Sequence, residues 1–105
     1  MPNVLVVAAD ECIRVTCLEV LAACGFPAAP EVARGASPDV VLLWDPAAPD
    51  IEAARSRYRD ASLVICSWAG RPIPPGATAA HLPFNATRVA AAVSQAARRS
   101  FRVAA

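Results

Sequence analysis

The residues that could do chemistry stand where apolar runs of the sequence end. Asp10 and Cys12 follow the run Val4–Ala9, and Asp45 follows a second run that ends at Trp44. Carboxylates at such positions are candidate ligands for Mg²⁺, because a hard cation takes oxygen ligands. A cysteine at the start of a helix is a candidate nucleophile, because the helix N-terminus stabilises a thiolate.

The last residues of three apolar runs carry no reactive group. Ala8 and Ala9 close the first run, Trp44 closes the second, and Leu82 precedes Pro83 at the end of a later one. All 10 basic residues are arginine, so the chain contains no lysine. Because apolar side chains supply neither a metal ligand nor a charge, these positions favour binding over catalysis, and we do not expect an enzyme.

Composition limits the classes of function. The chain has 105 residues and is 56% hydrophobic, which suits one domain, residues 1–105, with its own core. A net charge of +1 gives no strong field to attract nucleic acid or acidic lipid, so we expect neither as a partner. No apolar run approaches the roughly 18 residues of a membrane span. Since Met1-Pro2-Asn3 leads straight into a strand without a signal sequence, we expect a cytoplasmic protein.

The 4 cysteines and the single histidine do not form a metal-binding motif. No Cys-x-x-Cys pair occurs, and the spacing of Cys12, Cys17 and Cys24 does not suit a zinc site, so we expect no metal or other cofactor. Cys17 and Cys24 lie on an apolar helical stripe, and Cys66 lies inside a strand. We predict that these three thiols pack in the core, as free cysteines often do.

Strands and helices are predicted to alternate along the chain. Continuous Val- and Leu-rich runs are typical of strands covered on both faces. Asp10, Asp50 and Asn85 are predicted to cap helices, and Gly25 to end the first one. The buried strands fall at 4–9, 40–44 and 62–67, with a short strand at 78–82 and a weak edge strand near Pro27 and Pro30. This alternation predicts a parallel sheet with helices on both faces.

Two surfaces are predicted on the helices. Arg55, Arg57 and Arg59 lie largely off the apolar face of their helix, so we expect them to be solvated. The last helix is rich in alanine around residues 90–92, and small side chains there would permit a homodimer through its exposed side. The apolar stripe predicted for this helix consists of Val89, Val93, Ala97 and Phe101.

Several short segments follow one another in an order that is known from one family. They are Val4–Val7 with Asp10-Glu11-Cys12-Ile13-Arg14, Gly25-Phe26, Pro38-Asp39-Val40-Val41-Leu42-Leu43, Ser67, and Leu82-Pro83-Phe84. Over nearly all of its length the chain resembles the receiver domain of bacterial two-component response regulators. The resemblance implies a flavodoxin-like α/β fold, in which a doubly wound parallel sheet has five strands in the order 2-1-3-4-5.

The departures from the family bear on function. In receivers, two acidic residues after the first strand help to hold Mg²⁺, an Asp at the end of the third strand accepts the phosphoryl group, and a Lys contacts its oxygens. The resemblance therefore implies a degenerate phosphorylation pocket and a pseudo-receiver that binds a signalling or effector protein without being phosphorylated. Only Ser67 keeps the family's Ser or Thr. The pocket would consist of Ala8, Ala9, Asp10, Trp44, Asp45, Ser67 and Leu82.

The chain is also shorter than a receiver in two places. Too few residues separate Gly25 from Pro38 for an edge strand, a full helix and their loops, and a proline-rich stretch stands between Ser67 and Leu82. Proline removes a backbone donor and breaks a helix. We therefore predict a reduced receiver with three full helices, in which the family's second and fourth helices are short or missing.

Three alternatives stay open. A shift of register could let Asp45 accept a phosphoryl group after all. Cys12 could act as a nucleophile in a way similar to the phosphocysteine of sugar-transport IIB domains, although no arginine stands six residues later. Trp44, Trp68 and His81 could line a small-ligand site at the strand ends, where open α/β sheets bind ligands.

Overall fold

The computed structural model describes residues 3–29, 37–68, 70–83 and 85–104, with side chains up to Arg98. In these ranges the strands are β1 (Val4–Val7), β2 (Ala28–Ala29), β3 (Val40–Trp44), β4 (Ser62–Trp68) and β5 (Thr78–Leu82). The helices are α1 (Glu11–Ala23), α2 (Ala48–Arg57) and α3 (Ala86–Ala104).

All of these strands belong to one parallel sheet in the order β2-β1-β3-β4-β5, which confirms the predicted flavodoxin-like α/β arrangement. The register of β3 is unbroken: Val40 lies opposite Ser62, and Trp44 lies opposite Cys66. Because the strands are parallel, their carboxyl ends meet at one edge of the sheet. The candidate residues lie at that edge.

The two faces of the sheet are buried against different elements. One face, which we call the α1/α3 face, includes the fully buried side chains of Leu42 and Val64. The other, the α2 face, includes Val41 and Ile65. Because the central strands are covered on both faces, their sequences are continuously apolar and do not alternate.

Both ends of α1 follow the predicted signals, but one cysteine does not. The Asp10 carboxylate accepts a hydrogen bond from the Ile13 backbone N–H at 3.1 Å, and Gly25 adopts a φ of 86° just beyond the helix. Cys17 and Leu21 are fully buried, as predicted. The prediction that Cys24 packs in the core is wrong: Cys24 is exposed at the C-cap, where the buried stripe of the helix ends.

Asp50 does not occupy the N-cap of α2, contrary to the prediction. The helix begins at Ala48, and Pro49 fits into its first turn, where a missing backbone N–H needs no partner. The Asp50 carboxylate instead reaches back and accepts a hydrogen bond from the Ala47 backbone N–H at 3.0 Å. Its negative charge also favours the helix N-terminus.

β2 is a two-residue edge strand that follows Pro27. Its residues Ala28 and Ala29 lie opposite Val4 and Leu5 of β1. An edge position tolerates the neighbouring proline, as predicted, because no further strand needs its N–H. Pro30 and the stretch 30–36, where the family's second helix would fall, lie outside the described residues.

Residues 70–77 contain no helix, in agreement with the predicted loss of the family's fourth helix. Ile73 and Ala77 of this proline-rich segment pack against the α2 face of the core. Arg55 of α2 donates a hydrogen bond from Nη2 to the Pro75 carbonyl oxygen at 2.6 Å, so the prediction of a simply solvated side chain is wrong for this arginine. The contact ties the proline-rich segment to α2.

We expect Arg55→Met to lower the free energy of unfolding by about 1 kcal/mol, because it keeps most of the aliphatic stem but removes the hydrogen bond to Pro75. Arg59→Met, at an exposed arginine of the same region, is the matched control and should change stability by less than about 0.5 kcal/mol. Urea denaturation of both variants measures the difference. Equal losses would mean that the hydrogen bond does not hold the segment.

The entry into α3 follows the predicted cap. The Leu82–Pro83 peptide bond is cis. Asn85 then caps the helix, since its Oδ1 accepts a hydrogen bond from the Arg88 backbone N–H at 3.1 Å. The short β5 and the N-terminus of α3 therefore lie at the same edge of the sheet as the other candidate residues.

The buried stripe of α3 is wider than the predicted one. Ala92 is only 5% exposed, so the alanine-rich surface predicted around residues 90–92 does not include it. The predicted stripe residues Val89, Val93 and Ala97 are buried. The side chain of Phe101, which was predicted to extend this stripe, lies outside the described residues.

Candidate functional site

The candidate residues gather at the carboxyl edge of the sheet, but they lie on both of its faces. Trp44 and Leu82 pack with the α1/α3 face. Ser67 follows Cys66, which belongs to that same face, and side chains alternate along a strand. Ser67 therefore points to the α2 face, and the predicted pocket residues do not converge on one cavity.

The two residues that follow β1 carry no reactive side chain. Ala8 is buried and Ala9 is exposed. The next residue, Asp10, carries a carboxylate, but one of its oxygens is engaged by the backbone of α1 at Ile13. Asp10 thus serves to start a helix, as the sequence predicts for an N-cap residue.

Trp44 lies between the two helices of the α1/α3 face. α1 packs over β1 and β2, whereas α3 packs over β3, β4 and β5. At the end of β3 the half-buried Trp44 packs against the core from this position. Its ring therefore belongs partly to the core and partly to the surface of the carboxyl edge.

An open pocket of about 270 Å³ separates Trp44 from the first half of α1. Its lining combines an aromatic ring, an aliphatic side chain, a hydroxyl and two thiols: Trp44, Ile13, Thr16, Cys12 and Cys17. Sequence reasoning identified Trp44 and Cys12 separately but not Thr16. The signal was present, because residues four apart on a helix are neighbours and Cys12–Thr16 and Ile13–Cys17 both have that spacing.

Asp45 is presented at the edge by an unusual backbone conformation. Its φ of 43° lies in the left-handed region, which Asp tolerates better than most residues. The backbone N–H donates to the Cys66 carbonyl oxygen at 2.7 Å. The carboxylate forms an ion pair with Arg71 at 3.1 Å, with 38% of the Asp45 side chain exposed. Sequence reasoning missed Arg71, because nothing local indicates that the turn after β4 returns to β3.

Ser67 is 3% exposed, and its hydroxyl has no hydrogen-bond partner among the described residues. It lies opposite His81 of β5, and on its other side β3 has just ended at Trp44. A buried hydroxyl without a partner is costly, so this position is unusual within the sheet. Ser67, which the resemblance assigns to the pocket, therefore lies at the carboxyl edge of the sheet but is buried.

Leu82 is part of the core and not of a polar site. The side chain is 8% exposed and belongs to the cluster beneath α3. It lies opposite Trp68 of β4. The strand end that carries a lysine in receivers therefore carries an ordinary core leucine here.

Trp68 and His81 do not line the pocket beside Trp44. Trp68 is 51% exposed at the end of β4, and His81 is exposed on the neighbouring strand. The two side chains point to opposite faces of the sheet, because Trp68 lies opposite Leu82 and His81 lies opposite Ser67. The three-residue ligand site considered from the sequence is thus divided between faces.

The four thiols fall into two environments. Cys12 and Cys24 are exposed at opposite ends of α1, whereas Cys17 and Cys66 are buried. Burial raises the pKa of the Cys17 thiol. Burial, and in second place the neighbouring Cys17, raises the pKa of Cys66 to about 12. Both buried thiols therefore stay protonated at neutral pH.

The described part of the chain shows neither a metal-binding cluster nor a membrane-spanning helix. No group of three or more His, Cys, Asp or Glu side chains is placed to hold a metal ion. Within the same residues, no helix combines the length and hydrophobicity needed to cross a bilayer. Comparison of the chain with models of known protein families and with curated proteins finds no match.

Proposed function

We propose that this protein is a pseudo-receiver, a receiver-like module of bacterial signal transduction that binds a protein partner and works without phosphorylation. The observation that carries the proposal is the apolar carboxyl edge of a flavodoxin-like sheet. Trp44 and Leu82 pack into the core at two strand ends where a phosphorylated receiver needs an acceptor and a cation.

The chemical requirements of phosphoryl transfer support a protein that works without phosphorylation. The reaction needs an in-line nucleophile together with positive charge on the developing oxygens. Ala8 and Ala9 supply no Mg²⁺ ligand from their side chains, and Leu82 supplies no charge. Asp10 is already engaged as a helix cap.

The remodelled side of the molecule supports a binding role. In receivers the fourth helix, the fifth strand and the fifth helix form the usual output face, whereas here the proline-rich segment 70–77 replaces the helix. Trp68 stands beside this segment with 51% of its surface exposed. Because tryptophan is enriched among the residues that dominate protein interfaces, Trp68 is the anchor that we assign to partner binding.

We expect no response to a phosphoryl mimic. In a two-dimensional amide NMR spectrum, Mg²⁺ with beryllofluoride should leave the peaks of Asp45, Asp10 and Ser67 unmoved. Acetyl phosphate should produce no phosphorylated species in mass spectrometry. The control is Asp45→Asn, which removes the carboxylate that directly follows β3. Wild type and variant should behave alike, and both should bind the same partner with the same affinity.

A second candidate function rests on Asp45. Its left-handed backbone and its ion pair place a carboxylate beside the Arg71 guanidinium, while the unpartnered Ser67 hydroxyl lies on the neighbouring strand. A divergent phosphoacceptor would use these groups as acceptor, cation and hydroxyl. Beryllofluoride shifts that centre on these three residues and disappear in Asp45→Asn would favour this candidate and overturn the first.

A further inference from the structure

We propose that the pocket between Trp44 and α1 binds a small, uncharged, apolar molecule with one or two fused rings. This inference does not depend on the signalling role. It rests on the position, size and lining of the pocket.

The position of the pocket follows from the way the helices divide the sheet. α1 covers β1 and β2, and α3 covers the other three strands, so the two helices leave a space over the end of β3. Trp44 partly fills this space from the sheet. What remains lies on the α1 side of the indole and is open to solvent, at the edge where open α/β sheets bind ligands.

The size of the pocket limits the ligand. Ordinary ligand pockets begin at about 300 Å³, and an engineered apolar cavity of about 150 Å³ is enough for benzene. At about 270 Å³ this pocket lies between the two. It suits a fragment somewhat larger than benzene, such as a bicyclic aromatic, and is too small for a nucleotide.

The lining determines the polarity of the ligand. The five lining residues include no Asp, Glu, Lys or Arg, and burial raises the pKa of Cys17 and keeps that thiol protonated. Thr16 donates its hydroxyl hydrogen to the Cys12 carbonyl oxygen at 2.9 Å, so that donor is already used. An anionic ligand would lose its hydration without gaining a cationic partner from the lining, whereas a neutral ring would contact Trp44 and Ile13.

The first test is an amide NMR titration with indole as the probe. Peaks of Cys12, Ile13, Thr16 and Cys17 should shift together and saturate. The matched probe is indole-3-carboxylate, a similar ring that carries a charge, and it should bind at least about tenfold more weakly because its carboxylate would be left without a partner.

Two substitutions in α1 test whether indole binds in this pocket. Thr16→Phe places a ring inside the pocket and should abolish the shifts. Val15→Phe adds the same ring one residue earlier, at an exposed position that does not line the pocket, and should leave indole binding unchanged. Loss of binding in both variants, or in neither, would overturn the proposal.

A second measurement needs no substitution. Cys12 and Cys24 are both exposed. Cys12 lines the pocket, whereas Cys24 lies at the other end of α1. Indole at about ten times its Kd should slow the alkylation of Cys12 by iodoacetamide roughly tenfold, since only the free protein reacts. Alkylation of Cys24 should keep its rate. Equal protection of both thiols, or of neither, contradicts the proposal.

Other occupants of the pocket would be recognised by the same experiments. If the pocket peaks shift with protein concentration in the absence of indole, a second copy of the chain fills the pocket. If indole fails to bind but Thr16→Phe blocks association with a protein partner that Val15→Phe still binds, the pocket receives a side chain of that partner. Either result would replace the small-molecule proposal.

Discussion

Leu82→Lys is expected to lower the free energy of unfolding by about 3 kcal/mol. The wild-type side chain is 8% exposed in the cluster beneath α3, so its replacement removes a buried leucine and brings an ammonium group into an apolar environment. The lysine stem can still cover apolar surface while the charge reaches toward water, which keeps the loss below that of a fully trapped charge.

The matched control is His81→Lys, one residue earlier on the same strand. His81 is exposed and points to the opposite face, so the same ammonium should cost less than about 0.5 kcal/mol there. Chemical denaturation of both variants at one pH gives the comparison.

The result bears on the proposed function. In the proposed pseudo-receiver, Leu82 stands in place of the lysine that contacts the phosphoryl group in receivers, so a large loss would mean that this strand end has become part of the core. A variant as stable as wild type would instead mean that the edge can still accommodate a polar site. That outcome would weaken the case for a pseudo-receiver and make Asp45 the residue to pursue.

Alkaline pH is expected to destabilise the protein through Cys66. Burial, with a smaller contribution from Cys17, raises the pKa of this thiol from its ordinary value of 9.0 to about 12. Between these values an unfolded chain releases the proton while the folded chain retains it. Since the folded state then binds more protons, stability falls as pH rises through this interval.

The size of this effect follows from the linkage relation. Each pKa unit corresponds to about 1.4 kcal/mol, so the full interval from 9.0 to about 12 corresponds to about 4 kcal/mol. The stabilisation is complete below pH 9 and is lost as pH approaches 12. Urea denaturation at a series of pH values under reducing conditions would measure the slope.

Cys66→Ala isolates the contribution of this thiol. The variant should start about 1 kcal/mol less stable, because it loses the buried sulfur, but its stability should fall less steeply above pH 9 than that of wild type. Cys24→Ala removes an exposed thiol and should keep the wild-type slope. If Cys66→Ala also keeps that slope, the alkaline loss arises elsewhere in the protein.

Much of the fold could be predicted from the sequence, because its signals are local. β3 and β5 have the predicted bounds, and Asp10, Gly25 and Asn85 mark helix ends as predicted. A cap or a continuous apolar run acts through neighbouring residues, so its effect can be inferred without a structure. Asp50 is the exception, since the Pro49 before it fits equally well inside the first turn.

The class of fold, the strand ends without reactive side chains and the absence of lysine can all be read from the sequence alone. The burial and the contacts of each candidate site residue are visible only in the tertiary structure. It buries Cys17 but exposes Cys24, pairs Asp45 with Arg71, and places Trp44 across an open pocket from α1. These outcomes depend on the direction in which a turn leaves a helix or strand and on the packing between elements distant in sequence, which no local pattern encodes.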